Sequence, residues 1–283
     1  MNRGSHQLLL SIVCGLTLLP VTVSAQAPHR SASTPETIWS GTAGSFQWRW
    51  TTSELLARSS STGREVFSAA SFEKRSNPTL KETTEQPWEG YLECTIKPLS
   101  IVGSIASYER DYYWEGGAHP SGSTDFVSVD VTNPGQRLSL TDLFTDAAVL
   151  KALLADKIVS DTLKRNHVTG TPRSTAQLVN LLNGKSFGGD DNGQFAFTKD
   201  LLARFALHHV EGDWVAVRLN VSWNYEVYRF TSTQIGILLP VPARLRGPLT
   251  RAGAREQGFL MPNAKKLAGN RTTMLFTMGK APK

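Results

Sequence analysis

The hydrophobic pattern of this 283-residue chain changes its period twice, and this change constrains the fold more than any other feature. Between residues 46 and 131, apolar residues recur at every second position over several stretches, which is typical of half-buried strands. At residues 146–163 and 174–182 they recur at helical spacing, and alternation returns at residues 214–221. This order predicts an α+β fold: an antiparallel sheet with two helices packed on one face, the helices being inserted between the strand blocks.

The first residues have the pattern of an export signal. An apolar run at residues 8–23 is followed by small residues near Ala25 that suit signal peptidase. We therefore predict a signal peptide at residues 1–25 and an exported domain, periplasmic or extracellular, with no transmembrane segment after cleavage. The alternative of a lipoprotein acylated at Cys14 fits less well, because Cys14 lies inside the apolar run and follows Val13.

Composition divides the rest of the chain into four segments. Residues 26–44 are rich in Ser, Thr, Pro and Ala and are predicted to form a flexible linker. Residues 45–89 form an N-terminal strand region, residues 90–250 the main α+β domain, and residues 251–283 a basic C-terminal tail. The formal net charge of +6 favours anionic partners weakly. Outside the cytoplasm such partners are acidic glycans, lipid headgroups or an acidic protein, and we expect no nucleic acid.

Cleavage of the signal would leave Cys94 without a second cysteine, so the hydrophobic core must hold the domain together. Leu92, Cys94 and Ile96 alternate along one predicted strand. The pattern predicts that Cys94 is a small buried hydrophobic residue and not a nucleophile.

The sequence contains none of the usual motifs of a nucleophile elbow, a zinc protease, a dinucleotide-binding loop or paired cysteines. Gly184-Lys185-Ser186 looks like the end of a phosphate-binding loop, but Val179 stands where the first glycine is required. His208 and His209 are adjacent, and on a regular strand they would point to opposite faces. We therefore predict no catalytic residue, no metal site and no cofactor.

Two segments rich in aromatic residues remain as candidate binding sites. In the first, "YYWEGGAHPSG" at residues 112–122, two glycines free the backbone and Pro120 biases His119 toward an extended conformation. His119 is then either a contact residue at the end of a strand or a residue that fixes a turn. In the second, "WNYEVY" at residues 223–228, aromatic rings and a carboxylate can bind sugars or pack an edge strand. The candidate binding residues are Trp114, Gly116, Gly117, His119, Tyr225, Glu226 and Tyr228.

Three motifs, in order, resemble those of the RsiV-type C-terminal domain family, a domain of unknown function. Residues 116–119 are similar to its G-G-A-H signature, and residues 138–144, "LSLTDLF", resemble its L-x-L-x-D-L-F segment. Residues 225–227, "YEV", resemble its P-Y-E-[VI] segment, with Asn224 in place of the proline. The resemblance covers roughly residues 90–250.

That family includes the extracytoplasmic part of the lysozyme-sensing anti-sigma-V factor, and it accompanies some peptidoglycan deacetylases. The resemblance implies an exported bacterial recognition domain whose partner is a cell-wall-active enzyme or peptidoglycan. We therefore expect a non-catalytic domain that binds an envelope protein or a cell-wall glycan. Two alternatives stay open: an envelope polysaccharide hydrolase with His119 or Glu226 as acid/base, and a structural component of the envelope.

Overall fold

The structure is a computed structural model that describes residues 35–76, 90–115, 121–186, 196–226, 229–261 and 271–278. Within these ranges the chain forms eleven strands and six helices, with one further 3-10 turn at Leu201–Ala203. The strands are β1 (Thr37–Ala43), β2 (Phe46–Thr51), β3 (Leu55–Ser59), β4 (Glu65–Ser68), β5 (Gly90–Val102), β6 (Ile105–Glu115), β7 (Ser121–Asp130), β8 (Phe205–Glu211), β9 (Trp214–Glu226), β10 (Arg229–Pro240) and β11 (Thr272–Met278). The helices are α1 (Ala69–Ser76), α2 (Leu140–Leu143), α3 (Asp146–Ala155), α4 (Lys157–Arg165), α5 (Thr175–Leu182) and α6 (Ala243–Gly253).

The first four strands form an antiparallel sheet in the order β1–β2–β3–β4. Residues 64–73 are among the stretches that the sequence pattern predicts to be strands, but β4 ends at Ser68 and α1 follows. Two side chains start this helix, because Ser68 Oγ accepts a hydrogen bond from Ser71 N (3.1 Å) and Glu54 Oε1 accepts one from Ala70 N (3.2 Å). Both bonds satisfy amide groups that a first helical turn leaves without partners.

A second antiparallel sheet, the central sheet, has the order β11–β5–β6–β7. Its inner face packs against the first sheet and α1 in one hydrophobic core, to which both sheets contribute. Cys94 is fully buried in this core, with Ile96 beside it, and Leu92 on the same strand is also buried. The predicted burial of Cys94 is therefore confirmed. The aromatic and aliphatic residues that share this core include Trp48, Trp50, Leu55, Phe67, Phe72, Tyr108, Val127 and Val129.

The third sheet, in the order β10–β9–β8, carries the helices that follow β7 in the chain. Val215, Val217, Leu219 and Val221 alternate along β9 and are all buried, as their period of two predicts. They form a second core with apolar side chains of β10 and of helices α2 to α6. The helices thus shield one face of this sheet.

The α+β class is confirmed, but the predicted single sheet with two helices differs from the three sheets and six helices of the described residues. Alternation identifies strands without showing which of them pair, so it did not separate the sheets. The helix predicted at residues 146–163 is divided at Asp156, whose backbone is extended (φ −71°, ψ 136°). Asp156 Oδ1 accepts a hydrogen bond from Val159 N (3.1 Å), which caps the second helix.

Parts of the predicted linker and tail form strands. Thr37–Ala43 lies within residues 26–44 and forms β1, because Ile38 and Trp39 pack against the inner core. Thr272–Met278 lies within residues 251–283 and forms β11, with Met274 buried next to Cys94. The Ser-, Thr- and Pro-rich composition of the first segment and the basic composition of the second concealed these apolar contacts. The predicted signal peptide lies outside the described residues, and the boundaries of the predicted domains stay a prediction. None of the described helices is long and apolar enough to cross a membrane.

Candidate functional site

An open cleft of about 350 Å³ lies on the outer face of the central sheet. The strand β8 covers one end of this face, where Leu207 N donates to Ser107 Oγ (3.3 Å) and Ser128 Oγ donates to Phe205 O (2.9 Å). The other end stays open next to the last residue pairs of β6 and β7. We call this open part the sheet cleft, and it is lined by Glu93, Thr95, Asp111, Tyr112, Tyr113, Ser123, Thr124 and Arg271.

Strand register brings the polar residues of the sheet cleft together. Thr95 of β5 is paired with Asp111 of β6, and Asp111 is paired with Thr124 of β7. Glu93 is paired with Tyr113 one step along the same face. Since residues two apart on a strand share a face, these five side chains form one continuous polar surface.

The two carboxylates of the sheet cleft differ in how well their own neighbours satisfy them. Asp111 Oδ1 accepts a hydrogen bond from Thr124 Oγ1 (2.7 Å), and Asp111 Oδ2 lies 3.6 Å from Lys97 Nζ. Glu93 accepts one long bond, from Thr95 Oγ1 (3.3 Å), and forms no ion pair with a described residue. Glu93 therefore keeps acceptor capacity that a ligand can use.

The inner face of the same sheet carries a polar cluster that is largely buried, and of its members Tyr112 also reaches the edge of the sheet cleft. Glu73 of α1 is completely buried, and its carboxylate accepts hydrogen bonds from Tyr108 Oη (2.6 Å) and Tyr112 Oη (2.6 Å). Arg110 lies between these tyrosines on β6, and its NH1 is 3.2 Å from Glu73 Oε2. The guanidinium also lies over the Tyr112 ring, 4.2 Å from its centroid. We call this cluster the sealed network.

Asp125 of β7 extends the sealed network to three arginines. Its carboxylate pairs with Arg110 NH2 (3.3 Å), Arg137 NH1 (2.7 Å) and Arg204 Nε (2.9 Å). Burial alone would raise the pKa of Asp125, but Arg204, Arg110 and Arg137 hold the pKa below its ordinary value. Burial and the neighbouring Glu73 carboxylate raise the pKa of Tyr108 well above its ordinary value. Each charge has a partner of opposite sign within the fold, so the sealed network joins α1, β6 and β7.

His208 and His209 lie together, which corrects the expectation that they point to opposite faces. The register of β8 against β9 shifts between Leu207 and His209, so β8 carries a bulge at this point. A bulge re-aims a side chain, and the two rings contact each other with their centroids 4.7 Å apart. Burial, with smaller contributions from Arg218 and His209, lowers the pKa of His208 to about 4.

The described residues place part of the predicted site. Trp114 lies at the end of β6, paired with Ser121 of β7, while Tyr225 and Glu226 end β9. The strands β7 and β9 contact each other, because Asn220 Nδ2 donates to Thr124 O (2.6 Å). The strands β7 and β9, on which parts of the two predicted segments lie, are therefore neighbours. The binding roles of these residues stay a prediction. Outside the described residues lie Gly116, Gly117, His119 and Tyr228.

The sequence interpretation missed Glu93, Tyr113 and Thr124 as candidate site residues. Their alternation with buried neighbours was visible in the sequence, since polar side chains stand at every second position of β5 and β6. What was missing was the register, which alone shows that Glu93 and Thr124 belong to one surface.

Within the described ranges, no group of three or more His, Cys, Asp or Glu residues is arranged to hold a metal ion. The resemblance to the RsiV-type domain stays a prediction. No model of a known protein family matches the chain, and no curated protein matches its sequence.

Proposed function

We propose that this protein is an exported, non-catalytic recognition domain that binds a cell-wall glycan in the sheet cleft. One observation carries the proposal: the cleft combines a carboxylate with spare acceptor capacity, several hydroxyl groups and an aromatic side chain. Export rests on the signal-peptide pattern of the first residues.

The chemistry of the cleft suits a ligand with many hydroxyl groups. Glu93 can accept hydrogen bonds, Thr95 and Ser123 can both donate and accept them, and Arg271 can donate. Tyr113 supplies an aromatic body with a polar tip, a combination that contacts the apolar face of a sugar ring and its hydroxyls together. A glycan presents both kinds of surface.

The shape of the cleft also favours a glycan over a protein partner. Its volume of about 350 Å³ lies within the range of about 300–1,000 Å³ that is usual for small-molecule sites. A protein partner such as a muramidase would instead require roughly 800 Å² of buried surface on each side. We therefore propose a cell-wall glycan, and not a protein, as the ligand of the sheet cleft.

A titration of the full-length protein with peptidoglycan fragments and chitin oligosaccharides, followed by calorimetry, tests this proposal. We expect saturable binding that weakens at least about tenfold in Glu93→Gln, because a hydrogen bond to a charged group contributes roughly 1.5–3 kcal/mol. Glu65→Gln is the matched control, since Glu65 is an exposed glutamate on the first sheet. It should bind like the wild type.

Two results would overturn the proposal. The first is the absence of binding to every fragment, and the second is binding that Glu93→Gln and Tyr113→Ala leave unchanged. Binding to a muramidase without binding to any glycan would support the protein-recognition alternative instead.

A polysaccharide hydrolase is the second candidate, and one observation favours it. Glu93 and Asp111 lie on neighbouring strands, diagonally across one cleft, and glycoside hydrolysis commonly uses two carboxylates that flank the bond. This pair differs from the predicted acid/base residues, since His119 lies outside the described residues and Glu226 ends β9. Release of reducing sugar by the wild type, with loss of that release in Asp111→Asn, would establish the hydrolase.

A further inference from the structure

The bulge in β8 produces a contact between two histidines that a regular strand would not allow. His208 Nδ1 lies 2.5 Å from His209 Nδ1, so the two ring nitrogens face each other directly. The register shift explains the contact, because Leu207 pairs with Val217 while His209 pairs with Ala216. One extra residue on β8 thus brings the imidazoles onto one side.

The carboxylate of Glu211 contacts His209 at the ring nitrogen that faces away from His208. His209 Nε2 lies 2.7 Å from Glu211 Oε1, and Glu211 stands two residues along the same strand. When the Nε2–H group of His209 donates a hydrogen bond to this carboxylate, the neutral ring carries no proton on Nδ1. The Nδ1 lone pair is then directed at His208. Histidines that bind metals usually donate their other ring N–H to a carboxylate in this way, which fixes the ring and raises its basicity.

We propose that His208 and His209 form a binding site for one divalent transition-metal ion, such as Zn²⁺, Ni²⁺ or Cu²⁺. Imidazole nitrogens are ligands that these ions prefer. The ion would bind both Nδ1 atoms, and Glu211 would act as a positioning residue that orients His209. When the ion binds, His208 adopts the neutral tautomer that carries its proton on Nε2 and not on Nδ1. The proton that lies between the two Nδ1 atoms is thereby removed, and the Nδ1 lone pairs of both rings face the ion.

The geometry needs only a small adjustment. Metal–nitrogen bonds of about 2.0–2.1 Å at angles between 90° and tetrahedral place two ligand nitrogens roughly 2.9–3.4 Å apart. The rings must therefore separate by less than about 1 Å from their present contact. Both side chains are only partly buried, and 30% of the His209 side chain is exposed, so water can complete the coordination shell. Arg218 lies near enough to His208 to disfavour a second positive charge, which limits the affinity.

Calorimetry with Zn²⁺ and electron paramagnetic resonance with Cu²⁺, both on the full-length protein, test the site. We expect one equivalent of Zn²⁺ to bind, and Cu²⁺ to show hyperfine coupling to two imidazole nitrogens. His208→Ala together with His209→Ala should abolish both signals. Glu211→Gln keeps both rings and should weaken Zn²⁺ binding by about 10- to 100-fold.

The matched control is His167→Asn, because His167 is an exposed histidine away from the bulge. Its backbone φ of 51° is one that asparagine tolerates, so the variant should fold and bind metal like the wild type. Zn²⁺ binding that is equal in the wild type and the double variant would overturn the proposal. So would a Cu²⁺ spectrum that the double variant leaves unchanged, and circular dichroism of each variant would verify its fold.

Discussion

The two faces of the central sheet both carry carboxylate and tyrosine side chains, but these side chains differ in burial and in the number of hydrogen bonds that they form. On the inner face, Glu73 is fully buried and contacts two tyrosines and an arginine. On the outer face, Glu93 is partly exposed and accepts one long hydrogen bond from a threonine. A buried carboxylate persists only when the fold itself satisfies it, whereas a partly exposed one can retain capacity for a ligand.

Residue type alone does not tell the two faces apart, because it is the environment of a polar side chain that decides whether the fold satisfies it. Tyr112 and Tyr113 are consecutive and chemically identical, but only Tyr112 has a hydrogen-bonded hydroxyl among the described contacts. The difference follows from the pleat of β6, which directs alternate side chains to opposite faces. We therefore expect substitutions on the inner face to change stability and substitutions on the outer face to change binding.

The largest expected effect is that of Glu73→Gln, which removes the negative charge at the centre of the sealed network. Loss of one partner of a buried ion pair costs about 3–5 kcal/mol, and we expect the free energy of unfolding in urea to fall by about 3 kcal/mol. The control is again Glu65→Gln, which should change it by less than about 0.5 kcal/mol. Equal stabilities of the two variants would show that the network contributes little.

The adjacent tyrosines give the sharpest test of the two faces. Tyr112→Phe removes a hydrogen bond to a carboxylate and should lower the free energy of unfolding by about 1.5–3 kcal/mol. Tyr113→Phe should change it by less than about 0.5 kcal/mol, because no described partner bonds its hydroxyl. Chemical denaturation of both variants measures the difference, and a reversed order would refute the assignment of the faces.

The acid stability of the protein should depend on Asp125, whose ordinary pKa is 3.8. Because the folded pKa is lower, the unfolded chain takes up the proton first as the pH falls. The stabilisation is thus complete above about pH 4 and is lost below it, by up to about 1.4 kcal/mol per pH unit. Asp125→Asn should lack this part of the slope. Direct carbon-13 NMR titration of Asp125 gives a second measurement, and a midpoint above 3.8 would contradict the prediction.

The smallest effect is expected for Lys97→Gln on the outer face. Lys97 contacts Glu109 and lies 3.6 Å from Asp111, and these side chains are 17–29% exposed. Partly solvated ion pairs typically contribute about 0.2–1 kcal/mol, and added salt screens them. Thermal denaturation at low and high salt should show a small loss that shrinks with salt. A loss as large as that of Glu73→Gln would mean that the outer face is structural too.

The sequence predicted local features of the fold well where one physical cause decides them. Period-two alternation located the buried face of β9, and the alternation around Cys94 indicated its burial. It failed where long-range contacts decide the outcome. Glu73 is polar yet fully buried. The residues next to it in the sequence do not indicate this burial, because its partners Tyr108 and Tyr112 lie on β6.

The candidate sites show the same limit in different ways. The polar alternation of β5 and β6 was visible, but the sheet cleft exists only because of the pairing between strands. For His208 and His209, the rule that neighbours on a strand alternate is correct for a regular strand, and a single bulge reversed its result. A bulge depends on how β8 fits against β9, so the local sequence did not reveal it.

The strand β11 has a consequence for the order in which the protein folds. Trp50 Nε1 donates a hydrogen bond to Thr272 Oγ1 (2.8 Å), a contact between residues 222 positions apart. During synthesis Trp50 and β5 therefore emerge long before β11, and the backbone of β5 has no partner on its β11 side until then. Contacts so distant in sequence slow folding, and an unpaired edge strand is prone to intermolecular pairing. The nascent chain is thus exposed to aggregation through this edge until β11 has been made.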